Sequence, residues 1–212
     1  PLLILGAYTF VFRGVFKARW PGGADSTSEF ALQVFAGLVI FNLFGELLGR
    51  APRLVLEQPN LVKRVVFPLE LLSWVAVGTA MFHALLALAV LLAGMAWATG
   101  GLPLTALLTP LVLASCVPVL LGLGWVLSAF GVFIRDIGHV MGAVVSMLLF
   151  LSPVLYPASA LPGAFANLLW LNPLTVPIEG LRAVLLRGHA PDWASLAIYT
   201  GCGVIFAALA HR

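Results

Sequence analysis

The chain has 212 residues, of which 62% are hydrophobic and only 9% charged, and its mean hydropathy is +1.10. A water-soluble domain of this length cannot bury that much apolar surface, so the composition excludes a soluble globular fold and points to lipid. The net charge of +3 and the pI near 9.3 come from 11 basic residues scattered among lipid-length apolar segments, which form no stripe for a nucleic acid.

From Leu71 to Ile134 no Asp, Glu, Lys or Arg occurs, and a second uncharged run covers Ile137 to Ile178. About 20 apolar residues cross the hydrocarbon core as one helix, so the first run holds two crossings with a turn between them. The pattern predicts an all-α, polytopic membrane protein with one transmembrane domain over residues 1–212. Its six transmembrane helices are expected at Pro1 to Phe16, Phe30 to Gly49, Leu69 to Ala98, Leu104 to Ile134, Ile137 to Tyr156 and Ala194 to Ala210. No repeat, low-complexity tract or soluble domain interrupts this series.

The first segment is apolar from Leu2 and starts at Pro1 without an initiator Met, so it is read as a truncated span, with residues upstream missing, and not as a signal peptide. It carries Tyr8, Phe10, Phe12 and Phe16, followed by Arg13, Lys17 and Arg19. Aromatic faces stack on sugar rings and a basic cluster holds phosphate, so a conduit wall for an anionic glycolipid stands beside the plainer reading of core or lipid-facing aromatics.

Two hydrophilic connections follow, Lys17 to Glu29 and Arg50 to Phe67. The density of basic residues in the second (Arg50, Arg53, Lys63, Arg64) places it in the cytoplasm by the positive-inside rule, and alternation puts Arg135 and Arg212 on the same side. Within that loop Pro59 and Pro68 bracket a short amphipathic helix, with Leu61, Val62, Val65 and Val66 on one arc and Lys63, Arg64 and Phe67 on the other. A basic anchor on lipid headgroups and a docking surface fit its composition equally, Glu57, Gln58 and Asn60 adding directional contacts that an anchor does not need.

His83 in the third span has no acid or second His at i±3 or i±4 and reads as a satisfied packing histidine, as does His139. Cys116 and Cys202 lie in apolar stretches without a partner motif and read as inert core thiols. GxxxG spacings at Gly45/Gly49 and Gly138/Gly142 permit close helix approach but carry little weight, because Gly is frequent in membrane helices. Arg135 and Asp136 form an ion pair at a tight cytoplasmic turn, where their role is structural.

From Pro153 to Pro177 five prolines interrupt an apolar stretch, so no single helix there reaches span length. Backbone of this kind survives at membrane depth only against protein or a water-filled cavity. The residues alone favour a kinked helix and an interfacial loop anchored by Tyr156 and Trp170, with a hairpin-like outer gate as the alternative. The chain has no GxxxxGK[ST], HExxH, GxSxG or paired-carboxylate motif, and its acids are scattered, so no catalytic centre, cofactor site or metal site is expected.

The string Leu56-Glu-Gln-Pro-Asn-Leu-Val-Lys-Arg-Val-Val-Phe-Pro-Leu-Glu70, then Phe133-Ile-Arg-Asp136, Ser152-Pro-Val-Leu-Tyr-Pro157, Leu161-Pro162 and Asn172-Pro-Leu-Thr175 with Glu179 and Arg182 resembles the membrane (permease) subunit of polysaccharide ABC exporters of the O-antigen, capsule or teichoic acid type, the type-2 ABC exporter family. The resemblance implies a homodimer in the bacterial cytoplasmic (inner) membrane, surrounded by membrane lipid, paired with two copies of a cytoplasmic ATPase that bind ATP and Mg, and exporting an undecaprenyl-diphosphate-linked glycan through a channel between the subunits. It makes the Pro59 to Pro68 segment a coupling helix, with Glu57, Pro59, Asn60, Lys63 and Arg64 as ATPase-coupling residues. It makes the stretch from Ala158 to Leu186 an outer gate, with Pro157, Pro162, Trp170, Asn172 and Pro173 at its turns. Tyr8, Phe12, Arg13, Phe35, Phe150 and Tyr156 would face the substrate path. The family also opens with an amphipathic cytoplasmic helix that is not seen here.

Two other readings share the architecture: an exporter of drugs or small lipids, and a membrane-embedded scaffold or enzyme of lipid-linked sugar metabolism. The enzyme version needs clustered acids or a His at a membrane face, which the sequence lacks.

Overall fold

The computed structural model describes residues 27–58, 68–134, 136–157 and 169–212. Within them the chain forms six α-helices and no strand: α1 (Thr27–Arg50), α2 (Glu70–Thr99), α3 (Thr109–Phe133), α4 (Ile137–Leu151), α5 (Thr175–Leu185) and α6 (Trp193–Ala210), with 3-10 turns at Ala51–Arg53 and Leu104–Leu108. Four stretches are long and apolar enough to cross a membrane, Ser28–Arg53, Glu70–Ala98, Leu104–Phe133 and Trp193–Ala210. The expected crossing over Pro1 to Phe16 and the short helix over Asn60 to Phe67 lie outside the described residues.

The four long helices fall close to their expected bounds, because each is an uninterrupted apolar run with turn residues at its ends. Glu29 opens α1 and Arg50 closes it, each charge opposing the helix dipole at its own end. α2 stops where Gly100 takes a left-handed backbone, φ 75°, which a residue with a Cβ rarely adopts. The fifth crossing is a correction: a helix was expected to Tyr156, but α4 ends at Leu151 after 15 residues, about 22 Å of rise against the ~30 Å of a hydrocarbon core. The cause is local. Pro153 forces Ser152 into an extended backbone, φ −95° and ψ 151°, and the helix cannot pass through it.

α1 is the most enclosed of the four long stretches and α6 the least. Val34, Leu38, Ile40, Leu43, Phe44 and Leu47 of α1 form the centre of the core, meeting Leu91 of α2, Leu113 and Leu120 of α3, and Ile178 and Leu181 of α5. Phe82, Leu86 and Val90 of α2 and Ile198, Val204 and Ile205 of α6 point outward, as lipid-facing residues do.

Small residues set the closest helix approaches, since helices in lipid associate by packing and not by hydrophobic expulsion. A Cβ on Gly203 of α6 would stand 2.7 Å from the Val119 side chain of α3, and one on Gly122 of α3 would collide with Phe206 of α6. At the other end of α3 a Cβ on Gly131 would run into the Pro52 carbonyl. The GxxxG pairs are not used in this way: Gly49 and Gly142 have open space around them, and Gly45 and Gly138 are in ordinary contact with Val145 and Arg53.

Candidate functional site

The two described ends of the proline-broken stretch, residues 152–157 and 169–177, come together at Asn172. The Asn172 side-chain amide donates to Ser152 Oγ (2.8 Å) and to the Leu151 carbonyl (3.3 Å), and its Oδ1 accepts from the Leu174 amide (2.9 Å). Thr175 Oγ1 donates to the Leu169 carbonyl at 2.7 Å. Polar groups freed by the prolines are thereby paired inside the protein, as backbone at membrane depth requires.

From this turn rises α5, short and two-faced. Pro177 is tolerated because it sits in the first turn, whose amides have no helical acceptor. Ile178, Leu181, Arg182 and Leu185 face inward, while Val176, Glu179, Gly180 and Ala183 line a cavity on the other side. The helix ends at Leu185, and Gly188, φ 65°, reverses the chain.

Arg182 is 0% exposed. Its Nε and Nη2 donate to the Gln33 carbonyl of α1 at 3.2 and 3.1 Å, Nη2 also to the Val154 carbonyl at 2.8 Å, and Nη1 to the Pro153 carbonyl at 2.6 Å and to Glu179 Oε1 at 3.0 Å. One guanidinium thus ties α5 to α1 and to the residues that end α4. Burial draws its pKa down to about 10 against the opposing pull of Glu179, so it remains charged at neutral pH. Gly37 makes room for the arrangement, since a Cβ there would stand 3.1 Å from both Arg182 Nη2 and the Val154 Cα. The second oxygen of Glu179 accepts from Arg187 at 2.8 Å.

At the start of α6 the Asp192 carboxylate caps the helix, accepting from the Ala194 amide (3.1 Å) and from the Ser195 hydroxyl (2.6 Å). The Ser195 hydroxyl, chiefly, holds that carboxyl below the usual carboxylate range. Near the end of α4 the Tyr156 hydroxyl donates to the Phe150 carbonyl at 3.1 Å.

The opposite end of the bundle holds Glu57, exposed in the turn after Arg53, and Asp136, exposed at the start of α4, where its side chain makes no cap and its carbonyl accepts the His139 amide at 3.0 Å. Glu70 gathers two neighbours there: its carbonyl accepts from Trp125 Nε1 at 3.1 Å and its carboxylate lies 2.9 Å from His211 Nε2. His83, expected to be a packing histidine, does have an acidic partner, but on another helix: its Nδ1 lies 2.9 Å from both carboxylate oxygens of Glu46. Cys116 is buried as expected, whereas Cys202 is exposed on α6.

Of the residues expected at the site, Trp170 (61% exposed), Asn172 and Pro173 line one concavity, and Pro157 is half-buried after the end of α4. Among the expected path aromatics, Phe150 is 66% exposed, Tyr156 half-buried, and Phe35 only 3% exposed, packed in the core of the chain. Tyr8, Phe12, Arg13, Pro59, Asn60, Lys63, Arg64, Arg135 and Pro162 lie outside the described residues. Sequence reasoning gave no role to Arg182, Gly37 or Gln33. The available signal was Arg182 itself, a charge with an acid three residues before it, set right after a long uncharged run.

Among the described residues, four span-length apolar helices and no soluble catalytic unit define a multi-pass membrane protein. Residues 1–186 match the family model described as ABC-2 type transporter. The chain belongs to that family, and membership implies an ATPase as partner. It is similar to an O-antigen export system permease protein RfbA of Myxococcus xanthus, 26% identical over 211 residues that cover 97% of this chain and 77% of the relative. A protein of the same name from Klebsiella pneumoniae is 22% identical over 211 residues, covering 95% of this chain and 76% of the relative.

Proposed function

We propose that the chain is the transmembrane subunit of an ABC exporter that moves a lipid-linked polysaccharide of the O-antigen type across the bacterial cytoplasmic membrane. The observation that carries the reading is the similarity, over nearly the whole chain, to proteins named O-antigen export permeases. Two copies of the chain would enclose the path and two ATPase subunits, binding ATP and Mg, would drive it. Each subunit would have six spans, the segment over Pro1 to Phe16 and the short α4 with its folded-back continuation supplying those beyond the four long helices. ATPase closure would be received by the segment from Pro59 to Pro68, with Glu57, Asn60, Lys63 and Arg64 as contacts, on the side that also carries Arg135 and Asp136. The fold-back carrying Trp170, Asn172 and Pro173 would be the outer gate, and Tyr8, Phe12, Arg13, Phe150 and Tyr156 candidates for the glycan path.

Physically, such a device needs a bistable element with different contacts in its two states. Arg182 supports α5 in that part: its bonds to the Gln33 carbonyl of α1 and to the Pro153 and Val154 carbonyls cross between elements, so a movement of α5 away from them must break these together. Deleting the gene and measuring surface polysaccharide and lipid-linked polymer inside the cell tests the reading. Loss outside with accumulation inside, reversed by the full-length gene, is expected; unchanged surface polysaccharide would transfer the architecture to a drug or small-lipid cargo.

A further inference from the structure

Two concavities meet beside Trp170. The first, about 340 Å³, is lined by Thr175, Glu179, Arg187, Asp192 and Ser195 along with apolar side chains such as Leu196. The second, about 530 Å³, is mostly apolar, with Val119 and Leu123 of α3 and Ile198, Cys202 and Phe206 of α6 in its walls beside the polar Asn172 and Tyr199. Trp170, Val176 and Ser195 belong to both. The result is a charged head region continuous with an apolar groove.

Length and charge identify what fits. The groove follows α6 from Ser195 to Phe206, about 16 Å at helical rise, which matches the ~15 Å depth of one leaflet. The head region is lined by the Arg187 guanidinium and by two carboxylates, that of Glu179, with which Arg187 is paired, and that of Asp192. A guanidinium carries five N–H donors and the Glu179 contact uses one of Arg187's, so a phosphate can be received as well. A carboxylate attracts an ammonium that can donate hydrogen bonds. An anionic headgroup would meet two carboxylates, and a quaternary ammonium has no N–H to donate. A sugar would use the charged pocket and leave the groove empty.

We propose that these two concavities form a binding site for a phospholipid with an ethanolamine headgroup, its phosphate on Arg187, its ammonium at Asp192 and one acyl chain in the groove along α6. The site is independent of the exporter's cargo. It also lies one residue from the buried network, because Glu179 bonds both Arg187 and Arg182.

The test uses the full-length permease with its ATPase, purified and delipidated, titrated with dioleoyl phosphatidylethanolamine, phosphatidylcholine or phosphatidylglycerol and read by native mass spectrometry. One ethanolamine lipid bound per permease chain is expected, with the other two headgroups weaker by about tenfold, the weight of one charge-assisted contact. Arg187→Gln should weaken it similarly. Ile198→Trp, at an exposed position, should fill the groove and abolish binding while the complex stays assembled. Equal retention of all three lipids, or retention unchanged in both variants, would mean annular lipid and overturn the site. Displacement of the lipid by a water-soluble oligosaccharide would overturn it in favour of a sugar pocket. Dissociation of the complex by Ile198→Trp with no lipid bound would show that protein covers the groove.

Discussion

The Arg182 guanidinium of α5 and Gly37 of α1 occupy adjoining space so closely that a methyl group on the glycine would stand 3.1 Å from Arg182 Nη2. The glycine admits the backbone of Val154 and the arginine closes over it. Neither works alone, and together they hold α1, α5 and the end of α4 as one unit.

Removing Arg182 therefore leaves several buried carbonyls without their donor and Glu179 Oε1 without its partner, while Glu179 Oε2 keeps Arg187. Arg182→Ala is expected to lower stability by about 3–5 kcal/mol, the range for breaking a buried ionic network. Arg182→Lys should recover less than half, because an ammonium cannot reproduce the planar fork that reaches Gln33, Pro153 and Val154. Thermal unfolding of the purified complex checks both, and a lysine variant as stable as the parent would contradict the geometry.

Gly37→Ala should cost about 1–3 kcal/mol by overpacking against the Val154 backbone and Arg182. Gly49→Ala, with nothing within 4 Å of the new Cβ, should be neutral or stabilising by up to ~1 kcal/mol through helix propensity. The same unfolding assay, run on the two side by side, separates close approach from simple loss of glycine.

Asp192 gives a pH dependence of known sign. Its carboxyl is held below the ordinary range by the Ser195 hydroxyl first and by backbone amides, so its cap is fully present above the unfolded value near 3.9 and is lost only as pH falls through the lower folded value. Amide exchange at the first turn of α6 should stay protected from pH 7 down to about 5 and fail only below ~4. Asp192→Asn, which still caps, should keep protection without that acid limb.

In the proposed coupling segment, the reversals Lys63→Glu and Arg64→Glu together should abolish surface polysaccharide while leaving the permease in the membrane at its usual level. Unchanged export would remove this basic pair from the coupling surface.

The long helices were readable in the sequence because each is a charge-free run closed by turn residues, and lipid leaves such runs few alternatives. The end of α4 was misplaced by five residues because apolar composition continues past Ser152, and only the backbone demand of Pro153 stops the helix. The prolines from Pro153 to Pro177 marked a break in helical continuity, but the pairing of Asn172 with Ser152 and Leu151 left no mark. Arg182 bonds to carbonyls at positions 33, 153 and 154, and main-chain acceptors leave no mark in a sequence. His83 was misjudged for a related reason: partners were sought along its own helix, and Glu46 lies on the next one.

The proposed conduction of a lipid-linked glycan by this chain needs an ATPase to drive it. Its most direct test is a proteoliposome holding the full-length permease with its ATPase and a labelled undecaprenyl-diphosphate glycan, followed by access of an added glycosidase to the glycan. The account predicts that ATP makes the label appear on the face opposite the ATPase, and that an ATPase unable to hydrolyse leaves it where it began. Label that stays in place although ATP is consumed, or that crosses equally without ATP, would contradict it.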